Sequence, residues 1–167
     1  MTTDLRDKAA VEHKLWAEIA DTGFGMLATL THVHDHLQPM SAFCEPESEQ
    51  IWFYTHGDSS LALAAEGGAE AVFVCVSRDR ELQASILGGL HTTLDLLHRD
   101  KFWNSSVAAW YPKGKNDPSL TMLCLDCRDA MVWISEAGAM KSGWEIARAN
   151  LTGSEPNLGG RTTLQLG

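Results

Sequence analysis

Positive charge is scarce in this chain. It carries 13 Lys and Arg residues against 22 Asp and Glu residues, for a formal net charge of −9, and its basic residues form no cluster. A protein that binds the phosphate backbone of a nucleic acid needs a basic face. The composition therefore predicts no nucleic-acid partner.

Long apolar runs are also lacking, and none reaches the length of a membrane span. The N-terminal segment leads into a charged, amphipathic helix rather than a signal peptide. We therefore expect no membrane association and a soluble, cytoplasmic protein. The chain has only four cysteines, which stay reduced in that compartment. Cys44 and Cys75 lie in apolar, strand-like runs, where cysteine behaves as a small hydrophobe.

The apolar content is sufficient for one core. At 167 residues and 44% hydrophobic content, we expect a single domain over residues 1–167. Helical spacing predicts an opening helix over about residues 5–20, which ends at Asp21-Thr22-Gly23. A C-terminal helix and tail are predicted over about residues 141–167.

The segments between these helices are mostly strand-like. Apolar, aromatic and β-branched residues predict strands over 24–31, 37–45, 50–55, 69–76, 81–93, 122–125 and 130–135. The first two strands are expected to form a hairpin. The nearly continuous apolar run at 69–76 predicts burial on both faces, and Gly88-Gly89 predicts a bulge. A short helix is predicted over 61–66, capped by the residues around Ser59. This order favours an antiparallel barrel.

A further helix is predicted before residue 112. Leu96, Trp103, Val107 and Trp110 recur at helical spacing, so they are expected to share one buried face. Asp95 can cap this helix, and Pro112 with the following glycine can end it.

The residues that follow carry a more specific signal. The sequence WYPKGKNDPSL at 110–120, with the strand-like residues 122–125 and 130–133 behind it, resembles the signature of the general stress protein 26 family. That family is a branch of the pyridoxamine-5'-phosphate-oxidase-like proteins. The resemblance extends over about residues 15–133 and weakly to the C-terminus. It implies a mainly β fold, the split β-barrel with flanking helices of FMN-binding proteins.

The resemblance also implies a flavin cofactor, FMN or possibly FAD, in a groove between the two subunits of a homodimer. Three segments form such a pocket in the family. The first is Gln38-Pro39-Met40, where the family has Arg in place of Gln38. The second is the strand that ends at Tyr54-Thr55 and continues to Ser59-Ser60-Leu61, where a Lys is expected in place of Leu61. The third is Trp133, contributed by the partner subunit.

Each of these residues has an expected role. Met40, Tyr54 and Thr55 are assigned to the flavin ring, Ser59 and Ser60 to the phosphate, and Trp133 to packing across the interface. The two missing cations would weaken phosphate binding by about 3–6 kcal/mol, or about two to four decades in affinity. Hydroxyl groups, the amides at the start of the 61–66 helix, or a cation from Arg78, Arg80 or His56 can compensate.

Two functions remain open at this point. The first is a flavin-binding general-stress-type protein with weakened phosphate recognition and flavin-dependent oxidoreductase chemistry. The second is a non-enzymatic binding or scaffold protein that has lost the flavin, which the two missing cations favour. A true pyridoxamine-5'-phosphate oxidase is not expected, because the C-terminal third offers no Arg/His pair for the substrate phosphate. No catalytic residue is identified.

Two further patterns have metal-ligand spacing. His32, His34 and His36 alternate, and imidazole is a common metal ligand, but we interpret them as a solvated connection between strands. Cys124 and Cys127 have zinc-knuckle spacing without a second ligand pair. We interpret these two cysteines as structural and expect no metal site.

Overall fold

A computed structural model describes residues 4–30, 36–135, 139–153 and 159–167. The first element is helix α1, Lys8–Thr22. Asp7 caps it, since the Asp7 carboxylate accepts a hydrogen bond from the Ala10 amide at 3.0 Å. Gly23 ends it with a left-handed φ of 60°. The predicted opening helix is thus confirmed.

Eight strands and four further α-helices follow within the described residues. The strands are β1 Phe24–Thr29, β2 Gln38–Ser41, β3 Phe43–Glu45, β4 Gln50–His56, β5 Ala69–Val76, β6 Leu82–Thr93, β7 Leu120–Ile134 and β8 Gly160–Gln165. The helices are α2 Ser60–Ala65, α3 Leu96–Phe102, α4 Ser105–Ala108 and α5 Ala139–Thr152. The predicted hairpin of the first two strands is confirmed, because β1 pairs antiparallel with β2. No helix within the described residues is both long and apolar enough to cross a membrane.

The strands form one curled antiparallel sheet in the order β2-β1-β5-β6-β7-β4-β3, and β8 also pairs with β7. The two ends of this order, β2 and β3, are consecutive in the chain and are separated by Ala42 alone. The Ala42 amide donates a hydrogen bond to the Gly23 carbonyl at 3.0 Å. The sheet therefore curls back on itself, and the predicted mainly β fold with flanking helices is confirmed.

Two apolar clusters lie on opposite sides of this sheet. The larger cluster fills the inside of the curl and is closed by Val11, Leu15, Trp16 and Ile19 of α1. The smaller lies outside β4 and β7, under the residues of α4 and the loop after it. Its buried members are Trp52, Val107, Tyr111, Leu120, Met122 and Cys124.

The prediction of one continuous helix over residues 96–110 is wrong, because the structure has two short helices there. The chain breaks at Trp103, which has an extended backbone with ψ 128°, and Asn104 then caps the short helix α4. Asp95 does cap α3, as expected. Because the break changes the direction of the chain, the four residues do not share a buried face. Leu96 is exposed, and Trp110 is 73% exposed.

Two strand predictions also need correction. The segments at 122–125 and 130–135 belong to the one strand β7, because polar residues between them point outward while the backbone stays paired with β6. Strand β5 is buried on one face only. Its residues alternate, with Ala71, Phe73 and Cys75 inside and Val76 exposed.

The predicted bulge at Gly88-Gly89 is confirmed as a register shift between Leu87 and Gly88. A Cβ atom on Gly88 would overlap the carbonyl oxygen of Asp126 in β7, whereas a Cβ atom on Gly89 would meet nothing within 4 Å. The close approach of the two strands therefore requires glycine at position 88 but not at position 89.

We expect Gly88→Ala to lower the free energy of unfolding by about 1–3 kcal/mol, since the strands must separate to admit the methyl group. Gly89→Ala is the matched control and should change it by less than about 0.5 kcal/mol. Chemical denaturation of both variants gives the comparison. Equal effects at the two positions would contradict the proposed close approach.

Candidate functional site

A cavity of about 820 Å³ opens at the ends of β2 and β4. This volume lies within the range of roughly 300–1,000 Å³ that is usual for small-molecule and cofactor sites. Helix α4 and the loop behind it form the opposite wall. The lining residues are Gly23, Phe24, Pro39, Met40, Ser41, Phe43, Tyr54, Thr55, His56, Asn104, Ser105, Ser106, Val107, Trp110 and Tyr111.

Four of the residues predicted from the sequence line this cavity. Pro39 and Met40 come from β2, and Tyr54 and Thr55 come from the end of β4. The two strands approach each other because Ala42 joins β2 to β3, which pairs with β4. Two of the three predicted segments therefore meet at one cavity.

A cluster of polar side chains lies beside Thr55. The Thr55 hydroxyl donates a hydrogen bond to the Ser59 Oγ at 2.9 Å, and the Ser59 Oγ accepts another from the Ala62 amide at 3.2 Å. The Gln38 amide nitrogen donates to the Ser60 Oγ at 2.8 Å. The structure thus brings together the start of β2, the end of β4 and the start of α2.

Leu61 does not take part in this cluster. Its side chain is only 3% exposed and belongs to the large cluster inside the sheet. A lysine at this position would place its charge against that apolar interior, and burial of an unpaired charge is unfavourable. Leu61 therefore contributes to packing rather than to a polar surface.

Trp133 lies away from the cavity of its own chain. It is in the C-terminal half of β7, where it pairs with Gln83 and Arg161. Its side chain is 38% exposed. It does not line the cavity.

The cavity is short of positive charge. Its lining contains no Lys or Arg within the described part of the chain, and His56 is the one basic side chain there. The His56 Nδ1 lies 3.1 Å from the Ser119 Oγ. Arg78, considered above as a replacement cation, is held by Asp21, whose carboxylate lies 3.0 Å from the Arg78 Nε. Of the three candidate cations, His56 is the one at the cavity.

Two phenols give the cavity a neutral, aromatic wall. Burial, and secondarily the carboxylate of Asp100, raises the pKa of Tyr54 to about 12. Burial, and secondarily the carboxylate of Asp117, raises the pKa of Tyr111 to about 12. The Tyr54 hydroxyl donates a hydrogen bond of 2.5 Å to the Arg99 carbonyl. Both phenols therefore remain protonated and uncharged near neutral pH.

Sequence reasoning missed the wall formed by Asn104, Ser105 and Ser106. The available signal was Asn104, a residue type that often caps a helix. Its side chain accepts hydrogen bonds from the Ser106 and Val107 amides at 2.9 and 3.1 Å. The hydrophobic spacing across residues 96–110 outweighed that signal, so this wall was interpreted as the middle of a helix.

The described residues include the whole of only one of the two metal patterns, the cysteine pair. His32 and His34 lie outside the described residues, and His36 is exposed. Cys124 and Cys127 lie on opposite faces of β7, with Cys124 in the outer cluster and Cys127 in the inner one. Three positions along a strand reverse the side-chain direction, so these two thiols cannot chelate one ion together.

Comparison with known proteins gives a consistent family assignment. The model of the family "Pyridoxamine 5'-phosphate oxidase like" matches residues 10–157. No curated protein matches the chain in sequence.

Solved structures share the fold. A protein assigned as general stress protein 26 from Jannaschia sp. CCS1 has 29% identity and a TM-score of 0.79, over 94% of this chain and 99% of that one. The general stress FMN/FAD binding protein from Xanthomonas citri has 34% identity and a TM-score of 0.72, over 78% and 92%. A pyridoxamine 5'-phosphate oxidase-related, FMN binding protein from Nostoc punctiforme PCC 73102 has 14% identity and a TM-score of 0.55, over 80% and 86%, and shows the fold alone.

These matches confirm the split-barrel fold that the 110–120 signature implied. The chain therefore belongs to the pyridoxamine 5'-phosphate oxidase-like family, and within that family it is similar to the general stress proteins.

Proposed function

We propose that this protein binds a flavin, FMN or FAD, in the cavity between β2, β4 and α4, with weak recognition of the phosphate. The observation that carries the proposal is the meeting of Met40, Tyr54 and Thr55 at one cavity, beside the polar cluster of Gln38, Ser59 and Ser60. A flavin requires two kinds of surface, an apolar one for its ring and a hydroxyl-rich one for its phosphorylated chain. The Xanthomonas citri relative is named as an FMN/FAD binding protein, which supports the same ligand.

The residues present fit the ring better than the phosphate. Phe43 packs edge-on against Tyr54, with centroids 5.5 Å apart, and Trp103 also packs edge-on against Tyr54, at 5.9 Å. These contacts fix the Tyr54 side chain at the cavity wall. The polar cluster offers only neutral hydroxyl and amide groups to the phosphate, and hydrogen bonds between neutral groups are weaker than charge-assisted ones.

A bound flavin supplies the electron-transfer chemistry. The residues of this chain would orient the ring and exclude water from one of its faces. Because both phenols stay neutral, they add no charge beside the ring, and the Tyr54 hydroxyl is already engaged with the Arg99 carbonyl. An oxidoreductase role is therefore part of the proposal, while oxidation of pyridoxamine 5'-phosphate is not. That substrate would bring a second phosphate to a cavity whose described lining holds neither Lys nor Arg.

We propose a homodimer in which Trp133 of one subunit packs at the cavity of the other. The outer face of β5, β6 and β7 supports this arrangement, because strand register places apolar side chains of β1, β5 and β7 there, with polar residues of β6 between those of β5 and β7. Val74 pairs with Met26 on one side and with Ser85 on the other, and Ser85 pairs with Met131. Val76 and Trp133 on the same face are exposed. Large exposed apolar patches commonly mark interfaces.

We further propose that the chain is one domain and works in the cytoplasm. All four cysteines are free thiols in the structure, which suits a reducing compartment.

One observation favours a second candidate function. The lack of a cation at the described cavity lining would also be found in a binding or scaffold protein whose pocket no longer holds a flavin. The two candidates differ in whether purified protein takes up FMN.

We expect the purified protein to bind FMN, and Gln38→Arg to tighten this binding by about 1.5–3 kcal/mol, or about one to two decades in Kd. The Gln38 side chain already reaches Ser60, so a guanidinium there would face the phosphate. Riboflavin, which lacks the phosphate, should bind equally to both forms. Quenching of flavin fluorescence measures each affinity.

The matched control for this experiment is Gln165→Arg, which adds the same charge at an exposed position of strand β8. It should leave both affinities unchanged. Equal gains for FMN and riboflavin would mean that the charge does not act through the phosphate. Absence of binding by every form would support the scaffold function.

The two tyrosines of this chain both line the cavity, so their ionisation reports on it. In the folded protein we expect half-ionisation near the pKa of about 12, against an ordinary value of 10.0. Between these values the folded state holds more protons than the unfolded state, so stability should fall as pH rises. Phenolate absorbance in buffer and in denaturant measures both values, and Tyr54→Phe should halve the amplitude. Half-ionisation near 10.0 in folded protein would contradict a buried cavity wall.

We expect the protein to be a dimer by light scattering at micromolar concentration. Val74→Asp should produce monomers, because it places a charge in the centre of the apolar outer face. Leu97→Asp, on the exposed side of α3, is the matched control and should remain dimeric. A wild-type monomer would refute the shared site.

A further inference from the structure

Three side chains of metal-ligand type meet on the outer face of β6 and β7. They are His91, Cys124 and Asp126, and their ligand atoms all lie within 4.8 Å of one another. Strand register explains the meeting. His91 of β6 pairs directly with Cys124 of β7, and Asp126 follows two positions later on the same face. The backbone of the sheet therefore holds the three side chains together.

The distances within this group approach those around one tetrahedral ion, with the three ligand atoms within 4.8 Å of one another. The His91 Nδ1 lies 3.4 Å from one oxygen of Asp126, and the Cys124 Sγ lies 3.9 Å from the other. Ligand bonds to Zn²⁺ of about 2.0–2.1 Å for nitrogen and oxygen and about 2.3 Å for sulfur place neighbouring ligands roughly 3.3–3.5 Å apart. Side-chain rotations that close these gaps would bring the three ligand atoms around one ion.

A neighbouring strand orients the carboxylate. Gln50 of β4 pairs with Asp126, and its amide nitrogen donates a hydrogen bond of 2.7 Å to the Asp126 Oδ1. Hydrogen bonds of this kind to a ligand fix its orientation and contribute to metal affinity. The group thus has support outside the three ligands.

The surrounding charge favours a cation. The Cys124 side chain is completely buried, and one Asp126 carboxylate oxygen lies 3.9 Å from its Sγ. A divalent cation would balance the carboxylate charge and bind the sulfur as a thiolate, with release of the thiol proton to solvent.

We propose that His91, Cys124 and Asp126 form a site for one borderline divalent transition metal, Zn²⁺ in the first place. Mixed sulfur, nitrogen and oxygen ligands suit Zn²⁺ better than Mg²⁺ or Ca²⁺. The side chains of His91 and Asp126 are 44% and 54% exposed, so the fourth position faces solvent. Three protein ligands with an open fourth position admit water or an added ligand.

This site differs from both metal patterns in the sequence and from the flavin cavity. It uses one cysteine of the Cys124/Cys127 pair together with a histidine outside the 32–36 cluster. None of its three ligands lines the cavity. It departs from the expectation that the chain holds no metal, and it is independent of whether a flavin binds.

The test is metal titration of tag-free, chelator-treated protein under reducing conditions. We expect one equivalent of Zn²⁺ to bind, with release of a proton and a higher thermal midpoint, and no saturable uptake of Mg²⁺. Co²⁺ should give a thiolate-to-metal charge-transfer band in the near ultraviolet. Cys124→Ser should abolish that band and the stoichiometric Zn²⁺ binding. Gln50→Ala should weaken binding by about 10-fold to 100-fold.

Matched controls separate this site from its competitors. Asp126→Asn keeps the shape of the side chain and should lose most of the affinity, whereas Asp129→Asn on the same strand should not. His34→Ala should bind normally, and circular dichroism should show each variant to be folded. The proposal is overturned by the absence of stoichiometric uptake, by undiminished binding in Cys124→Ser, or by loss of binding in His34→Ala.

Discussion

The fold depends on the pairing of β7 along both of its edges. One edge pairs with β6 from Met122 to Ile134, and the other pairs first with β4 and then with β8. The change of partner occurs at Cys127 and Arg128, where the Cys127 amide donates to the Glu49 carbonyl and the Arg128 carbonyl accepts from the Leu166 amide. The bulge opposite Gly88 lies at the same level. One strand therefore places the outer cluster, the proposed metal ligands and the proposed dimer face in a fixed relation.

This arrangement explains which features the sequence could predict. Local patterns predicted the hairpin of β1 and β2, the cap at Asp95 and the bulge at Gly88, because each depends on residues close together in the chain. The polar residues near Asp126 made β7 look like two strands, since a sequence does not reveal that both edges of the backbone remain paired. The break at Trp103 was missed for a similar reason, because spacing alone cannot show where the chain turns.

The candidate site was predictable to the extent that the family signature supplied it. Met40, Tyr54 and Thr55 meet at a cavity, but the α4 wall and the burial of Leu61 follow from tertiary packing. The group of His91, Cys124 and Asp126 could not be predicted from spacing. Its members lie on two strands, and they meet only because the register of β6 and β7 brings His91 opposite Cys124.

Helix α3 links the two proposed sites. The His98 ring stacks on Trp52 at a centroid distance of 3.9 Å, and its Nε2 lies 2.6 Å from Glu45. Trp52 pairs with Cys124, one of the proposed metal ligands. From the next residue of α3, the Arg99 carbonyl accepts the hydrogen bond of Tyr54 at the cavity. Because both contacts come from one seven-residue helix, a displacement of α3 from the sheet would alter the cavity wall and the cover over Cys124 together.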